Sequence, residues 1–231
     1  MWGPDEFGEL GDGAPASAVA SPTSIAGEWR ELSANYYDTA GIKADGTLWK
    51  WGANDSGQIG DGTTDQRFSP VQIGTDDGWA HVAAGRYHSL AVKTDGSLWA
   101  WGYNADGELG DGTRVSSKVP VRVGTGNDWR SVTANFYGSF AIKTDGSLWA
   151  WGANASGELG IPGGLGSLVP VQISSDSWAM VSSSVFLAGA APTDLNLAAE
   201  TTRCRSCAAS RPQANASLFI STAAPLSSIA F

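Results

Sequence analysis

A tryptophan-centred segment returns along this chain at a spacing that hardly varies. Trp51, Trp101 and Trp151 stand 50 residues apart, and Trp29, Trp79, Trp129 and Trp178 follow one another at 50, 50 and 49. A fixed period of this size means stacked or radial copies of one supersecondary unit, because a single copy cannot bury its own apolar face. The copies agree in detail. The run from Lys93 to Gly102, Lys-Thr-Asp-Gly-Ser-Leu-Trp-Ala-Trp-Gly, recurs unchanged from Lys143 to Gly152, and Lys43 to Gly52 differs from it at three positions.

Each copy reads as short strands. Asp45-Gly46, Asp95-Gly96 and Asp145-Gly146 each lie between two apolar runs. This is a hairpin signal, expected as a two-residue type I′ turn, since glycine accepts the positive φ that such a turn demands. Next come Gly107-Glu108-Leu109-Gly110 and its counterparts beginning at Gly8, Gly57 and Gly157, which suit a tight loop with one apolar plug. Val119-Pro120-Val121-Arg122-Val123 and its copies around Pro70 and Pro170 read as strands whose proline favours a sheet edge. A short strand around Val82, Val132 or Val181 completes the set. Helical periodicity is absent from Ala26 to Ile173, and 30 Gly and 11 Trp beside 16% charged residues fit tight turns between aromatic-rich strands. The expected fold is therefore all-β, with propeller blades of four antiparallel strands and about 50 residues each.

The totals narrow the function classes. With 14 Lys and Arg against 23 Asp and Glu, the net charge of −9 has the wrong sign for holding a phosphate backbone, so nucleic acid is not an expected partner. No run of eighteen apolar residues exists, so no membrane partner is expected, and the first residues lack the pattern of a signal peptide. The compartment stays open, with secretion or a cell-surface location allowed if residues precede Met1. Cys204 and Cys207 are the only cysteines, too few for a disulfide framework or a four-cysteine zinc site. Their C-x-x-C form has no βαβ context and is read as incidental.

The string W-x-x-V, then K-T-D-G-S-L-W-A-W-G, then G-x-L-G and P-V-x-V resembles the regulator of chromosome condensation repeat over roughly residues 1 to 190. The resemblance implies a propeller in which seven blades usually close a ring, on the order of 350 residues at this period. Residues 1–25 read as a partial first repeat, 26–174 as three propeller repeats and 175–197 as a degraded fourth, in which Leu195 replaces the turn glycine and, just beyond, Ala198 stands where the other copies have Trp49, Trp99 and Trp149. Residues 198–231, rich in Ala, Ser, Arg and Pro, read as a disordered or out-of-frame tail, with a reading-frame shift near residue 195 as the expected cause. The chain is thus expected to be a fragment, or to need a second copy, and self-association through open blade edges is allowed.

Family members often bind partners through loops at one face of the ring, using the two variable positions of a G-x-x-H segment. Those positions are Tyr36-Tyr37, Arg86-Tyr87, Phe136-Tyr137 and, in the degraded copy, Val185-Phe186. Tyr, Phe and Arg are enriched at binding hot spots. The first members, Tyr36, Arg86 and Phe136, are expected to be the more exposed, while Tyr37, Tyr87 and Tyr137 divide evenly between display and packing between blades. Only the middle copy keeps Gly85 and His88; the others carry Asn35 with Asp38 and Asn135 with Gly138. Asn tolerates a left-handed backbone, which would preserve the turn.

Other constellations favour structural readings. The paired tryptophans Trp49 and Trp51, Trp99 and Trp101, Trp149 and Trp151 suit core packing better than a carbohydrate platform, since alternate strand positions point to opposite faces. A light-sensing role, found in a plant photoreceptor of this family, would need tryptophan in the G-x-x-H segment, where none stands. The Asp-rich loops at Asp61 and Asp111 lack a calcium-loop ligand pattern and read as solvated turns. His81 and His88 lie near no Cys or repeated carboxylate pair, which leaves a metal cluster or a Ser-His-Asp triad nothing to build on. No enzyme activity, cofactor or metal is expected. The function expected is a non-catalytic scaffold binding a protein partner through loops on one face. The alternatives are guanine-nucleotide exchange on a small GTPase, as performed by the founding family member, and structural spacer repeats of a bacterial surface protein.

Overall fold

A computed structural model describes residues 1–14, 16–161 and 163–181. The fourth copy beyond residue 181, including Val185-Phe186, and the tail with Cys204 and Cys207 lie outside the described residues.

Within those bounds the chain is all-β. Strands β1 (Gly3–Asp5) and β2 (Ala16–Val19) form a two-stranded sheet. Blade one follows as β3 (Trp29–Asn35), β4 (Asp38–Lys43), β5 (Leu48–Gly52) and β6 (Arg67–Gln72). Blade two is β7 (Trp79–Ala84), β8 (His88–Lys93), β9 (Leu98–Gly102) and β10 (Ser117–Arg122). Blade three is β11 (Trp129–Ala134), β12 (Gly138–Lys143), β13 (Leu148–Gly152) and β14 (Ser167–Ser174). Each blade is an antiparallel meander in chain order, and the blades form an incomplete propeller rather than a closed ring. Pro70, Pro120 and Pro170 fall in β6, β10 and β14, the outer edges, where a missing N–H costs no ladder bond.

The hairpins form at the Asp-Gly pairs, but with a different turn from the expected two-residue one. Gly46 N donates to Lys43 O at 2.9 Å and Lys43 N to Thr47 O at 3.0 Å, so the loop has three residues, Ala44-Asp45-Gly46. Gly46 sits at φ +84°, the bulge position of such loops. The reason is the aspartate: Asp45 Oδ1 accepts from Thr47 N at 3.0 Å and Thr47 Oγ1 at 2.6 Å, which draws Thr47 to the turn. Asp95 with Ser97 and Asp145 with Ser147 repeat the arrangement. These hydroxyl bonds hold all three carboxyls below the usual carboxylate range.

The core lies between blades. Ile42, Leu48, Ile59, Ile73, Trp79, Val82 and Trp101 fill the space between blades one and two, and Leu90, Val92, Leu98, Leu109, Val123, Trp129 and Trp151 that between two and three. Each fully buried aliphatic side chain contributes about 2 kcal/mol. The loop plugs Leu10, Ile59, Leu109 and Leu159 are all buried, as their glycine-flanked position implies.

The same loops latch each repeat to the next. Trp51 Nε1 donates to Glu9 O at 2.9 Å, Trp101 Nε1 to Gln58 O at 2.9 Å and Trp151 Nε1 to Glu108 O at 2.8 Å. Thr39, Ser89 and Ser139 hydroxyls donate to those same three carbonyls at 2.9, 2.9 and 2.7 Å. The indole lies so close that a Cβ on Gly11, Gly60 or Gly110 would stand 2.7, 2.6 and 2.6 Å from its nitrogen. Glycine is therefore required there by space as well as by positive φ. The fully buried member of each Trp-x-Trp pair is thus Trp51, Trp101 or Trp151. Its partner Trp49, Trp99 or Trp149 is half-buried and covered by Lys43, Lys93 or Lys143 at 3.5, 4.4 and 4.4 Å from the ring centre.

One repeated residue escaped the sequence reading. Asn54, Asn104 and Asn154 accept the plug residue's N–H at 2.9, 2.9 and 3.0 Å and donate back to loop carbonyls, so one amide folds each long loop. Asp5 accepts from Leu10 N at 2.9 Å in the same register. The signal was available: Trp-Gly-x-Asn opens the long loop of every full copy.

Candidate protein-binding face

The inner strands β3, β7 and β11 run side by side, and the turns that follow them, 35–38, 85–88 and 135–138, emerge at one end. Strand contact is direct: Asn35 Nδ2 donates to Ala84 O at 3.0 Å and Ala84 N to Ser33 Oγ at 3.0 Å. Because the blades converge on that side, side chains 50 residues apart in sequence become neighbours.

Four of the candidate rings gather around the Arg86 guanidinium, and the fifth, Tyr137, joins them through Phe136. Arg86 lies 3.6 Å from the centre of the Phe136 ring, 4.7 Å from those of Tyr36 and Tyr87, and 5.9 Å from Tyr37. Phe136 meets Tyr137, Tyr36 and Tyr87 at 4.6, 5.9 and 6.0 Å between centroids, mostly edge to face. Tyr37 also stacks on Phe7 at 4.7 Å, tying the N-terminal sheet to this face. A planar cation among ring faces gains from their negative quadrupoles, by about 1 kcal/mol per contact when partly desolvated.

Exposure within the cluster departs from expectation. Tyr36 is exposed at 42%, but so is Tyr137 at 39%, while Arg86, Phe136, Tyr37 and Tyr87 are half-buried. Membership of the first or second position does not decide it. Phe136, pressed closest against Arg86, is half-buried, whereas Tyr36 and Tyr87, both 4.7 Å from the same cation, differ in exposure.

The G-x-x-H segment has a steric explanation rather than the left-handed one anticipated. Gly85 has no positive φ; a Cβ there would lie 2.7 Å from His88 Cε1, so the ring of His88 occupies the space. Where His88 is replaced, asparagine closes the turn through its side chain: Asn35 Oδ1 accepts from Tyr36 N at 2.9 Å, and Asn135 Oδ1 from Gly138 N at 2.6 Å.

Beneath the face, polar groups do come together across blades, which the sequence did not reveal. Lys50 Nζ lies 3.0 Å from Asp38 Oδ1 and also donates to Ser89 Oγ, all three being buried. Burial pushes the Asp38 carboxyl up to about 6 against the opposing pull of Lys50, and pushes the Lys50 ammonium down. Between blades two and three, His88 Nε2 stands 2.9 Å from Ser139 Oγ. That is the spacing of a nucleophile and its base, but Ser139 gives its proton to Glu108 O at 2.7 Å and so accepts from the imidazole. Burial, then the charge of Lys50, drives the His88 ring down to about 3, which keeps it neutral. The pair acts as an inter-blade strut. In the first long loop the Asp61 carboxylate turns to its own loop: Oδ1 accepts from Thr63 N at 3.0 Å, and Oδ2 from Arg67 Nε at 2.6 Å.

Comparison with known proteins agrees with this architecture. A model of the regulator of chromosome condensation (RCC1) repeat matches residues 45–92, 95–142 and 145–187, and a second model of the repeat matches 79–108 and 129–158. No curated protein matches the sequence. Among solved structures, Prp20p from Saccharomyces cerevisiae, described with its binding to Gsp1p and histones, is 22% identical with a TM-score of 0.58, covering 64% of this chain and 38% of its own. Human WBSCR16 is 23% identical with a TM-score of 0.63, covering 73% and 45%. A structure of Kap60 bound to yeast RCC1 (Prp20) gives 20% identity and a TM-score of 0.62, covering 75% and 44%. The chain therefore spans between 38% and 45% of the length of these structures. With the repeat models covering more than half of its residues, the chain belongs to the regulator of chromosome condensation repeat family.

Proposed function

We propose that this chain is a non-catalytic scaffold that holds a protein partner on the face formed by turns 35–38, 85–88 and 135–138. The observation that carries the reading is the Arg86 guanidinium seated among Tyr36, Tyr37, Tyr87 and Phe136, with Tyr36 and Tyr137 open to solvent. Such a cluster offers large, rigid apolar area and a planar cation at low entropic cost, the composition of binding hot spots. That Prp20p is described by its binding to other proteins supports a protein as the class of partner. The proton commitments of Ser139 and the neutral, buried His88 support a role without catalysis.

The test uses the full chain with a photo-crosslinking side chain at Tyr137, compared with one at Val115 on the exposed outer loop. A partner captured at Tyr137 and not at Val115, and lost more than about ten-fold when Tyr36, Arg86 and Phe136 are all replaced by Ala, is the expected result. Unchanged capture by the triple variant excludes this face.

A further inference from the structure

The arginines among the described residues find acceptors on their own chain, with one exception. Arg67 and Arg114 pair with Asp61 and Asp106. Arg30 and Arg130 reach the main-chain carbonyls of Trp79 and Trp178, and Arg122 bonds Asn127. Arg86 enters no ion pair, and no acceptor among the described residues meets its guanidinium. Its Nε is buried without a partner, while Nη1 and Nη2 reach solvent.

This unpaired cation is nevertheless held in place. The ring faces of Phe136, Tyr36 and Tyr87 lie 3.6, 4.7 and 4.7 Å from its central carbon, and Arg86 N donates to Asn135 O of blade three at 3.3 Å. Rings that cover the faces of a planar cation leave its N–H groups pointing outward in its own plane, so an acceptor meets it edge-on. The side chain is ordered before any partner arrives, which lowers the entropic cost of binding.

Donors dominate the rest of the face. All five tyrosines of the chain stand here, Tyr103 joining the other four through Tyr87 at 6.2 Å. None of their hydroxyls bonds a described residue, and those of Tyr37, Tyr87 and Tyr103 reach solvent. The acids in the loop after Tyr103 are turned to that loop: Asp106 lies 3.6 Å from Arg114, and Glu108 Oε2 accepts from Asp106 N at 2.9 Å. A fixed guanidinium ringed by phenols thus lacks the one thing both call for, an anionic acceptor.

We infer, on the reading that this face holds a protein, that Arg86 receives the carboxylate of a single Asp or Glu side chain set among apolar residues of the partner. The two carboxylate oxygens meet Nη1 and Nη2 in the plane of the guanidinium as a bidentate pair. Phenol hydroxyls at the rim bond the remaining lone pairs, and the flanking apolar residues lie on the exposed rings of Tyr36 and Tyr137. A run of acids does not fit, because the net charge of −9 repels a polyanion, whereas a lone carboxylate meets one unpaired cation at close range.

Selection of random peptides of about twelve residues, displayed on phage, against the full chain tests this, with affinities then measured on synthetic peptides by fluorescence anisotropy. The selected peptides are expected to share one Asp or Glu beside apolar residues. Exchanging that acid for its amide is expected to weaken binding at least about ten-fold. Arg86→Lys, which keeps the charge but not the planar fork, is expected to weaken the acidic peptide by a similar factor and its amide version hardly at all. Arg86→Gln serves if Arg86→Lys does not fold. Peptides that crosslink at Tyr137 but share no acid, or keep their affinity as the amide, overturn the inference and leave the face standing as a binding site. So do peptides that need a run of acids, or that bind more than about ten-fold tighter with phosphoserine in place of the acid. A selection yielding nothing tighter than about 1 mM also overturns it. Peptides that bind equally well when Tyr36, Arg86 and Phe136 are all Ala instead defeat the reading of the face itself.

Discussion

The outer part of each blade and the turns at its inner end follow opposite rules. In the outer part, buried tryptophan, loop carbonyl, Thr or Ser hydroxyl and close-packed glycine recur in all three blades with hydrogen bonds that agree to within 0.2 Å. At the inner end, residues 35–38, 85–88 and 135–138 differ in sequence, in how the turn is closed and in exposure. What repeats holds the blades together, because each repeat buries its apolar face only by clasping the next. What varies is free to be shaped for a partner. The belt between the two is intermediate: Asp38 with Lys50 in blade one stands where blade two has His88 with Ala100 and blade three has Gly138 with Ala150.

Breaking that belt gives the largest expected effect. Replacing Lys50 by Ala strands the buried Asp38 carboxylate and is expected to lower stability to urea by about 4 kcal/mol. The double replacement Asp38→Gly with Lys50→Ala, which installs the pair found in blade three, is expected to recover all but about 1 kcal/mol. If the double variant is no better than the single, the blades are less interchangeable here than their backbones suggest.

The latch comes next. Gly60→Ala sets a methyl 2.6 Å from the Trp101 nitrogen at a φ of +90° and is expected to cost about 3 kcal/mol. Gly160→Ala, at a φ of +70° with no described neighbour, is expected to cost only backbone strain, about 1 kcal/mol. Equal losses in urea denaturation would mean that strain alone, and not the seated indole, requires the glycine.

Proton linkage sharpens the contrast between blades. The folded His88 ring is held down to about 3 from an ordinary 6.5, so between these values the unfolded chain binds the proton and the folded one does not. The stability this gives is complete above pH 6.5 and is lost as pH falls toward 3. Asp38, raised from 3.8 to about 6, acts in the other direction: it favours the folded state at low pH and loses that advantage as pH rises through 6. His88→Asn is therefore expected to flatten the acid-side loss by up to about 1.4 kcal/mol per pH unit, read from melting curves between pH 6.5 and 4. The smallest effect belongs to the face itself. Tyr36→Ala and Tyr137→Ala are each expected to lower stability by no more than about 1 kcal/mol, the worth of the ring contacts that these solvent-open side chains make.

How far the sequence could be read follows the same division. The four-stranded antiparallel blade, the proline edges and the buried loop plugs were legible, because each depends on contacts that the period repeats. The hairpin turn was misread at Asp45-Gly46 because the dipeptide alone signals a two-residue loop, whereas the Thr47 hydroxyl binding to Asp45 extends it. Asn54 and its copies were repeated in plain view, but an amide's partners depend on a loop path that no pattern states. Lys50 with Asp38 and His88 with Ser139 occur once each, and the second spans 51 residues, so repetition gave no sign of them. The six residues of the face were picked out by register, yet which of them would be exposed was not, because that depends on how side chains from three blades pack against one another.

Cohesion between blades rests on the seated indoles, and the exchange of indole N–H protons reports on them directly. Among the 11 tryptophans, the Nε1 protons of Trp51, Trp101 and Trp151 are expected to be the slowest to exchange with solvent deuterium, and that of Trp2 among the fastest in dilute solution. Exchange at Trp51, Trp101 and Trp151 as rapid as at Trp2 would contradict the latch between blades and the propeller built on it.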